Sequence, residues 1–254
     1  MTFLSTIGDR LSRAFPVEPP GTDGVPGRWA AGTAMVLAPV LTTIGALLRI
    51  RFHFFYPEQL SAFRLHPALV TTSYSLFAAG NVLLWPAVLS LAARIGVRSP
   101  GWAVWGGTLA VLGLFARTFH AGVDHEAFQL ARARGAETAT AVVSDGYGAF
   151  HVFAALNLAI MAGWVVLALG AWRTGVLGVV PAVGLAATAA LPLGVLKGTT
   201  MLSLVALAGL CLALVPLGFK LLREQPRPRR AVVLRWVPLV GVVVVVAALT
   251  GQAG

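Results

Sequence analysis

The chain has 254 residues, of which 57% are hydrophobic and only 11% charged, with a net charge of +10 and a mean hydropathy of +0.83. A water-facing domain carries roughly 25% charged residues, so these figures exclude a soluble globular enzyme, a disordered chain and a coiled coil, and leave a helical bundle in a bilayer. The basic residues form no stripe interleaved with aromatics, which argues against nucleic acid as a partner; in a bilayer protein they carry topology information and attract anionic lipid.

Residues 1–28 read as a tail. Phe3, Ile7, Leu11 and Phe15 recur every four residues, the spacing of one helical face. The segment is either a short helix lying on the membrane surface or a loose end. Its apolar content is too interrupted for a signal peptide. Pro16, Pro19, Pro20 and Pro26 then impose an extended linker.

From residue 29 onward, apolar runs of about 20 residues, the length that crosses a hydrocarbon core, predict spans over 29–48, 69–93, 100–119, 147–170, 175–196, 200–221 and 232–250. Together they make an all-α polytopic membrane protein with a single bundle over 29–250. The seventh run is the weakest, because Arg235 and Pro238 stand near its start. Six spans, with 232–250 as a surface or tail helix, is the alternative.

Lys and Arg in loops accumulate on the cytoplasmic side. Eleven fall on the side of the N-terminus, including the cluster Lys220, Arg223, Arg227, Arg229 and Arg230, and seven on the other. The expected topology has the N-terminus in the cytoplasm and extracytoplasmic loops at 49–68 and 120–146, in a multi-pass protein of the bacterial cell membrane with the lipid bilayer as its first partner.

Within the spans, Ala182, Ala186, Ala190, Gly194 and Gly198 repeat every four residues, a small-residue stripe that predicts close helix packing. Asn81 and Asn157 are amides that want partners at depth. Cys211 stands in an apolar run with no second cysteine to pair with, so it reads as a buried structural thiol.

All five histidines, His53, His66, His120, His125 and His151, fall on the extracytoplasmic side of this topology, together with Glu58, Asp124, Glu126, Glu137 and Asp145. Ionisable groups at membrane depth are costly and usually functional. If the third helix continues past its apolar run, Arg117, His120 and Asp124 share a face at i, i+3 and i+7, while His125 lies on another. This is not the HExxH pattern. His151, at the outer end of the fourth span, would meet His120 and Asp124 if spans three and four are antiparallel neighbours, with His53, Glu58, His125 and Glu126 as further candidates. Two His and a carboxylate suit a divalent metal such as zinc with a position left for water. Without metal, the same groups suit general acid–base work, with Arg117 orienting an anionic group. The alternative is a structural network in which Asp124 neutralises Arg117 or His120.

The segments Arg117–Gln129, Tyr147–Asn157 and Ala171–Leu177 loosely resemble polytopic membrane proteins of high-GC bacteria, a group whose resemblance implies no activity. Ceramidase-like seven-span hydrolases carry an HxxxH in the last span, and the last span here has no histidine. The expected function is a membrane-embedded enzyme with an extracytoplasmic site acting on a lipid or other apolar substrate. The alternative is a non-enzymatic component serving an accessory, immunity or small-solute or proton transport role. No GxxxxGK[ST] motif is present, which disfavours ATP-driven transport by this chain alone.

Overall fold

Every element among the described residues is helical, and the sequence dictates most of the ends. The computed structural model describes residues 27–146, 152–224 and 230–250, with nine α-helices and one short 3-10 turn. They are α1 (Gly27–Leu48), α2 (Tyr56–Leu65), α3 (Pro67–Gly96), α4 (Pro100–Arg134), α5 (Ala136–Gly146), α6 (Val152–Arg173), α7 (Val179–Ala187), α8 (Met201–Arg223) and α9 (Arg230–Thr250). Proline starts α3 and α4, where its missing N–H costs nothing. Gly135, at φ +90°, ends α4 with its N–H on the Ala131 carbonyl.

Five of these helices, α1, α3, α4, α6 and α8, are long and apolar enough to cross a membrane. The chain is thus a helical membrane protein, as its composition requires. Arg28–Leu222 forms one compact unit; α9 belongs to a second one and is a 21-residue helix over the seventh expected run. The amphipathic tail and its proline linker lie outside the described residues.

Close contacts at glycines set the registers. A Cβ on Gly106 would meet Leu167, one on Gly113 would meet Ile160, one on Gly163 would meet Ala110 and one on Gly170 would meet Trp102. These pairs run in opposite directions, so α4 and α6 are antiparallel and nearly touch through their backbones, as small residues allow in lipid. Gly45 against Ser73 and Phe77, with Gly80 against Ala38 and Thr42, makes α1 and α3 antiparallel neighbours. Gly32 against Gly218, and Thr43 Oγ1 at 3.4 Å from Cys211 Sγ, place α8 on α1. Trp164, Leu91, Leu114, Leu167 and Leu210 fill the main core.

Two expectations change and one condition is met. The third helix does continue past its apolar run, to Arg134, about 52 Å at 1.5 Å per residue, so its last turns stand beyond a core of roughly 30 Å. The loops expected at 49–68 and 120–146 are largely helical and pack on each other: α2, the end of α4 and α5 share a second apolar cluster around Leu60, Phe63, Phe128 and Leu196. The fifth expected span breaks. α7 and its 3-10 extension end at Ala190, and residues 191–200 are irregular. Pro192 cannot continue a helix, and Gly194 stands at φ +113°. The four-residue stripe therefore ceases to be a helical face after Ala190, and α7 meets α8 instead through Gly184 against Gly209.

The irregular segment ends in a cap. Thr200 Oγ1 accepts from Ser203 N–H at 3.2 Å, and Ser203 Oγ accepts from Thr200 N–H at 3.1 Å, the reciprocal arrangement that satisfies orphan donors at a helix start. Thr200→Val is expected to cost about 1 kcal/mol and to lower the unfolding temperature in detergent, whereas Thr200→Ser should restore it.

Candidate functional site

The broken fifth span matters because its irregular backbone lines a polar cavity between α1, α3, α4 and α8. Lipid-exposed irregular backbone does not occur at membrane depth, but irregular backbone lining a cavity does. The cavity has a volume of about 50 Å³, room for a few waters. Of the twelve buried polar or charged side chains among the described residues, seven line it, so the polar interior of the bundle is concentrated here.

One wall is α4. Arg117, His120 and Asp124 are all buried and all line the cavity, as their shared helical face requires. Arg117 spends its guanidinium on backbone: Nη1 donates to the Pro192 carbonyl at 3.2 Å and Nη2 to the Leu191 carbonyl at 3.4 Å. Asp124 Oδ1 accepts the Leu196 N–H at 2.5 Å. Leu196 is a non-glycine residue at φ +49° with a fully buried side chain, a conformation that costs of order 1–3 kcal/mol and persists only where its surroundings fix it. Two ionisable side chains of one helix thus hold the unwound stretch in place.

The opposite wall comes from the α1–α3 junction. Arg49 follows the last turn of α1 and is 5% exposed. Its guanidinium lies 4.6 Å from the Tyr74 ring centroid and 4.5 Å from that of Phe77, cation–π geometry that offsets part of its desolvation. Nη1 reaches Ser73 Oγ at 3.5 Å, and Nε has no hydrogen-bond partner. Burial lowers its pKa from the ordinary arginine value, opposed by Tyr74 and Asp124. Tyr74 donates its hydroxyl to Gln59 Oε1 at 3.1 Å.

The irregular segment supplies the rest. Lys197 lines the rim with its ammonium 4.8 Å from the Phe55 ring centroid. Gly198 N–H donates to the Phe54 carbonyl at 2.9 Å, and the Gln59 side-chain amide donates to the His53 carbonyl. Thr199 is 6% exposed and its hydroxyl has no partner.

The structure brings together three of the residues singled out from sequence, Arg117, His120 and Asp124. His151 lies outside the described residues. His125 and Glu126 are exposed on the other side of α4. His53 and Glu58 are also exposed and face each other, Nδ1 to Oε2 at 3.6 Å. None of these four lines the cavity. Among the described residues no three His, Cys, Asp or Glu side chains gather as a ligand set for a metal ion. Arg49, Tyr74, Lys197, Thr199 and Ser203 line the cavity without having been singled out. Asn81 also lines it and donates to its own helix at the Phe77 carbonyl, 2.8 Å, while Asn157 Oδ1 is buried without a partner.

Comparison with protein-family models, with curated proteins and with solved structures found no match.

Proposed function

We propose that the chain is a multi-pass protein of the cell membrane, with seven spans and its N-terminus in the cytoplasm, and that the cavity is the outward-facing site of an enzyme acting on a lipid or other apolar substrate. The observation that carries this reading is the convergence of buried Arg117, His120 and Asp124 on one water-sized cavity inside an apolar bundle. Isolated ionisable groups are expensive at that depth, and three on one face are retained for use.

The roles follow from what each side chain touches. His120 is the proton-transfer group, because imidazole titrates nearest neutral pH and it borders the cavity. Asp124 and Arg117 are positioning residues that shape the wall through residues 191–196. Apolar substrate would enter from the hydrocarbon side, and water from the rim near Lys197.

The break in the fifth span favours a second reading, transport of a small solute or protons, because discontinuous helices line the sites of many transporters. One reconstitution separates the two. Proteoliposomes made with a total polar lipid extract are incubated, and the lipids are profiled by mass spectrometry beside a proton-flux measurement. The enzymatic reading expects a lipid species that is converted by the wild type and untouched by His120→Ala. Unchanged lipids together with His120-dependent proton flux would replace it with the transport reading.

A further inference from the structure

The seam between α3 and α4 is pinned at four levels. A Cβ on Gly96 would meet Ala103, and one on Gly107 would meet Ala92. Further along, Trp85 packs edge-on to Phe115 with ring centroids 4.4 Å apart, and beyond it Tyr74 packs edge-on to Phe128 at 5.0 Å. The two helices are therefore antiparallel, and each step toward the start of α3 is matched by a similar step toward the end of α4. Between the two aromatic pairs this register sets Ala78 opposite Ala121. Ala78 stands seven residues before Trp85, and Ala121 seven residues before Phe128, about two helical turns in each case, so both methyl groups face the seam. Rings close the levels on either side; at this level only two methyl groups meet.

Both alanines line the cavity, and both are part-exposed. Their neighbours on the outside of the seam, Ala79 and Val82 on α3 and Thr118 and Gly122 on α4, are exposed, and a Cβ on Gly122 would meet nothing. The cavity is thus separated from the bilayer by the smallest side chains of the seam. From Pro100, which starts α4, to Ala121 the helix rises about 32 Å at 1.5 Å per residue, close to the edge of a hydrocarbon core of roughly 30 Å. That is the level at which a lipid's tail gives way to its headgroup.

We propose that the Ala78–Ala121 seam is a lateral portal, through which a lipid of the outer leaflet presents its reacting group to the cavity while its tail stays in the bilayer. A cavity of about 50 Å³ holds a few waters and has no room for an acyl chain, so an apolar substrate reaches it only by such partial entry. This inference rests on the cavity being the functional site. It gives that site its substrate class, a membrane lipid taken sideways, by a route separate from that of water at the Lys197 rim.

The test uses the full-length protein in proteoliposomes, in a Cys211→Ser background with Asn81→Cys as the reporter. Asn81 lines the cavity one turn from Ala78 and is 6% exposed, so a thiol there does not face lipid. Two reagents report the two routes: N-dodecylmaleimide dissolved in the bilayer, and a small impermeant methanethiosulfonate in the water. Both are expected to modify the reporter. Ala78→Phe and Ala121→Phe place a plug on either side of the portal. Each is expected to slow the dodecylmaleimide reaction about tenfold or more, the scale of forcing a packed side chain aside, and to leave the methanethiosulfonate reaction unchanged. The plugs stand on different helices, so one reports even if the other variant unfolds. Absence of dodecylmaleimide reaction in the unplugged protein overturns the proposal, as does a plug that leaves its rate unchanged or slows both reagents alike. Lipid conversion by the wild type without dodecylmaleimide labelling would remove the portal and leave the enzymatic reading intact; labelling without conversion would do the reverse.

Discussion

Gly113→Val is expected to lower stability by about 3 kcal/mol or more and to part α4 from α6. Overpacking a core normally costs 1–3 kcal/mol because side chains can shift aside. Here a Cβ on Gly113 would meet Cβ, Cα and the amide nitrogen of Ile160, and a helix backbone cannot yield as a side chain does. Gly163→Val should act similarly, since its Cβ would strike the Ala110 backbone. Gly122 provides the control. It lies in the same helix with nothing near its missing Cβ, so Gly122→Ala should leave stability unchanged or raise it by about 0.5–1 kcal/mol through lower backbone entropy. Thermal unfolding of the three variants in detergent checks both directions at once, and a Gly113→Val protein as stable as the wild type would show that α4 and α6 do not meet at this register.

The second large effect is expected at Asp124. Asp124→Ala removes the acceptor of the Leu196 amide, at a cost of about 1–3 kcal/mol for the orphaned donor, and frees a backbone that its surroundings hold in a left-handed conformation. Residues 191–200 should then exchange their amide hydrogens faster than in the wild type while the helix interiors stay protected. Asp124→Asn keeps an acceptor oxygen at the same place and should retain most of the protection, although it removes the charge. Equal exchange in the alanine variant and the wild type would mean that the unwound segment is held by other contacts. The pair of variants also separates the geometry of the wall from its electrostatics: loss of function in Asp124→Asn with the segment still ordered would assign the charge itself a role.

Much of the architecture was legible because lipid leaves few choices. Apolar runs of the right length became the helices α1, α3, α4, α6 and α8, and α9 covers the last run. The face shared by Arg117, His120 and Asp124 follows from helical periodicity alone, and all three side chains do line one cavity. Hydropathy could not reveal the break after Ala190, because Leu191, Leu193, Val195 and Leu196 remain apolar; Pro192 and Gly194 were the available signals, and Gly194 fits the small-residue stripe equally well. The stripe from Ala182 to Gly198 had the right spacing but its second half is not helical. The tighter contact, Gly106 and Gly113 against α6, was hidden because two glycines seven residues apart do not stand out in a chain with 28 of them.

The other half of the cavity was illegible for a different reason. Arg49 and Lys197 read as ordinary loop cations, since a sequence gives no sign that a residue after a helix end will turn inward between two rings. Only the close approach of α1 to α3 at Gly45, and the docking of Gly198 on Phe54, bring those loops over the helix ends.

Access from the outer side is the premise on which the site, its substrate and its orientation all depend. It is tested most directly by a single cysteine at Ala121, which lines the cavity, in a Cys211→Ser background that removes the chain's one native thiol. Intact cells are treated with a membrane-impermeant maleimide. The account predicts labelling of Ala121→Cys from outside, blocked by prior treatment with a small impermeant methanethiosulfonate. Labelling only after the inner face is exposed would contradict it.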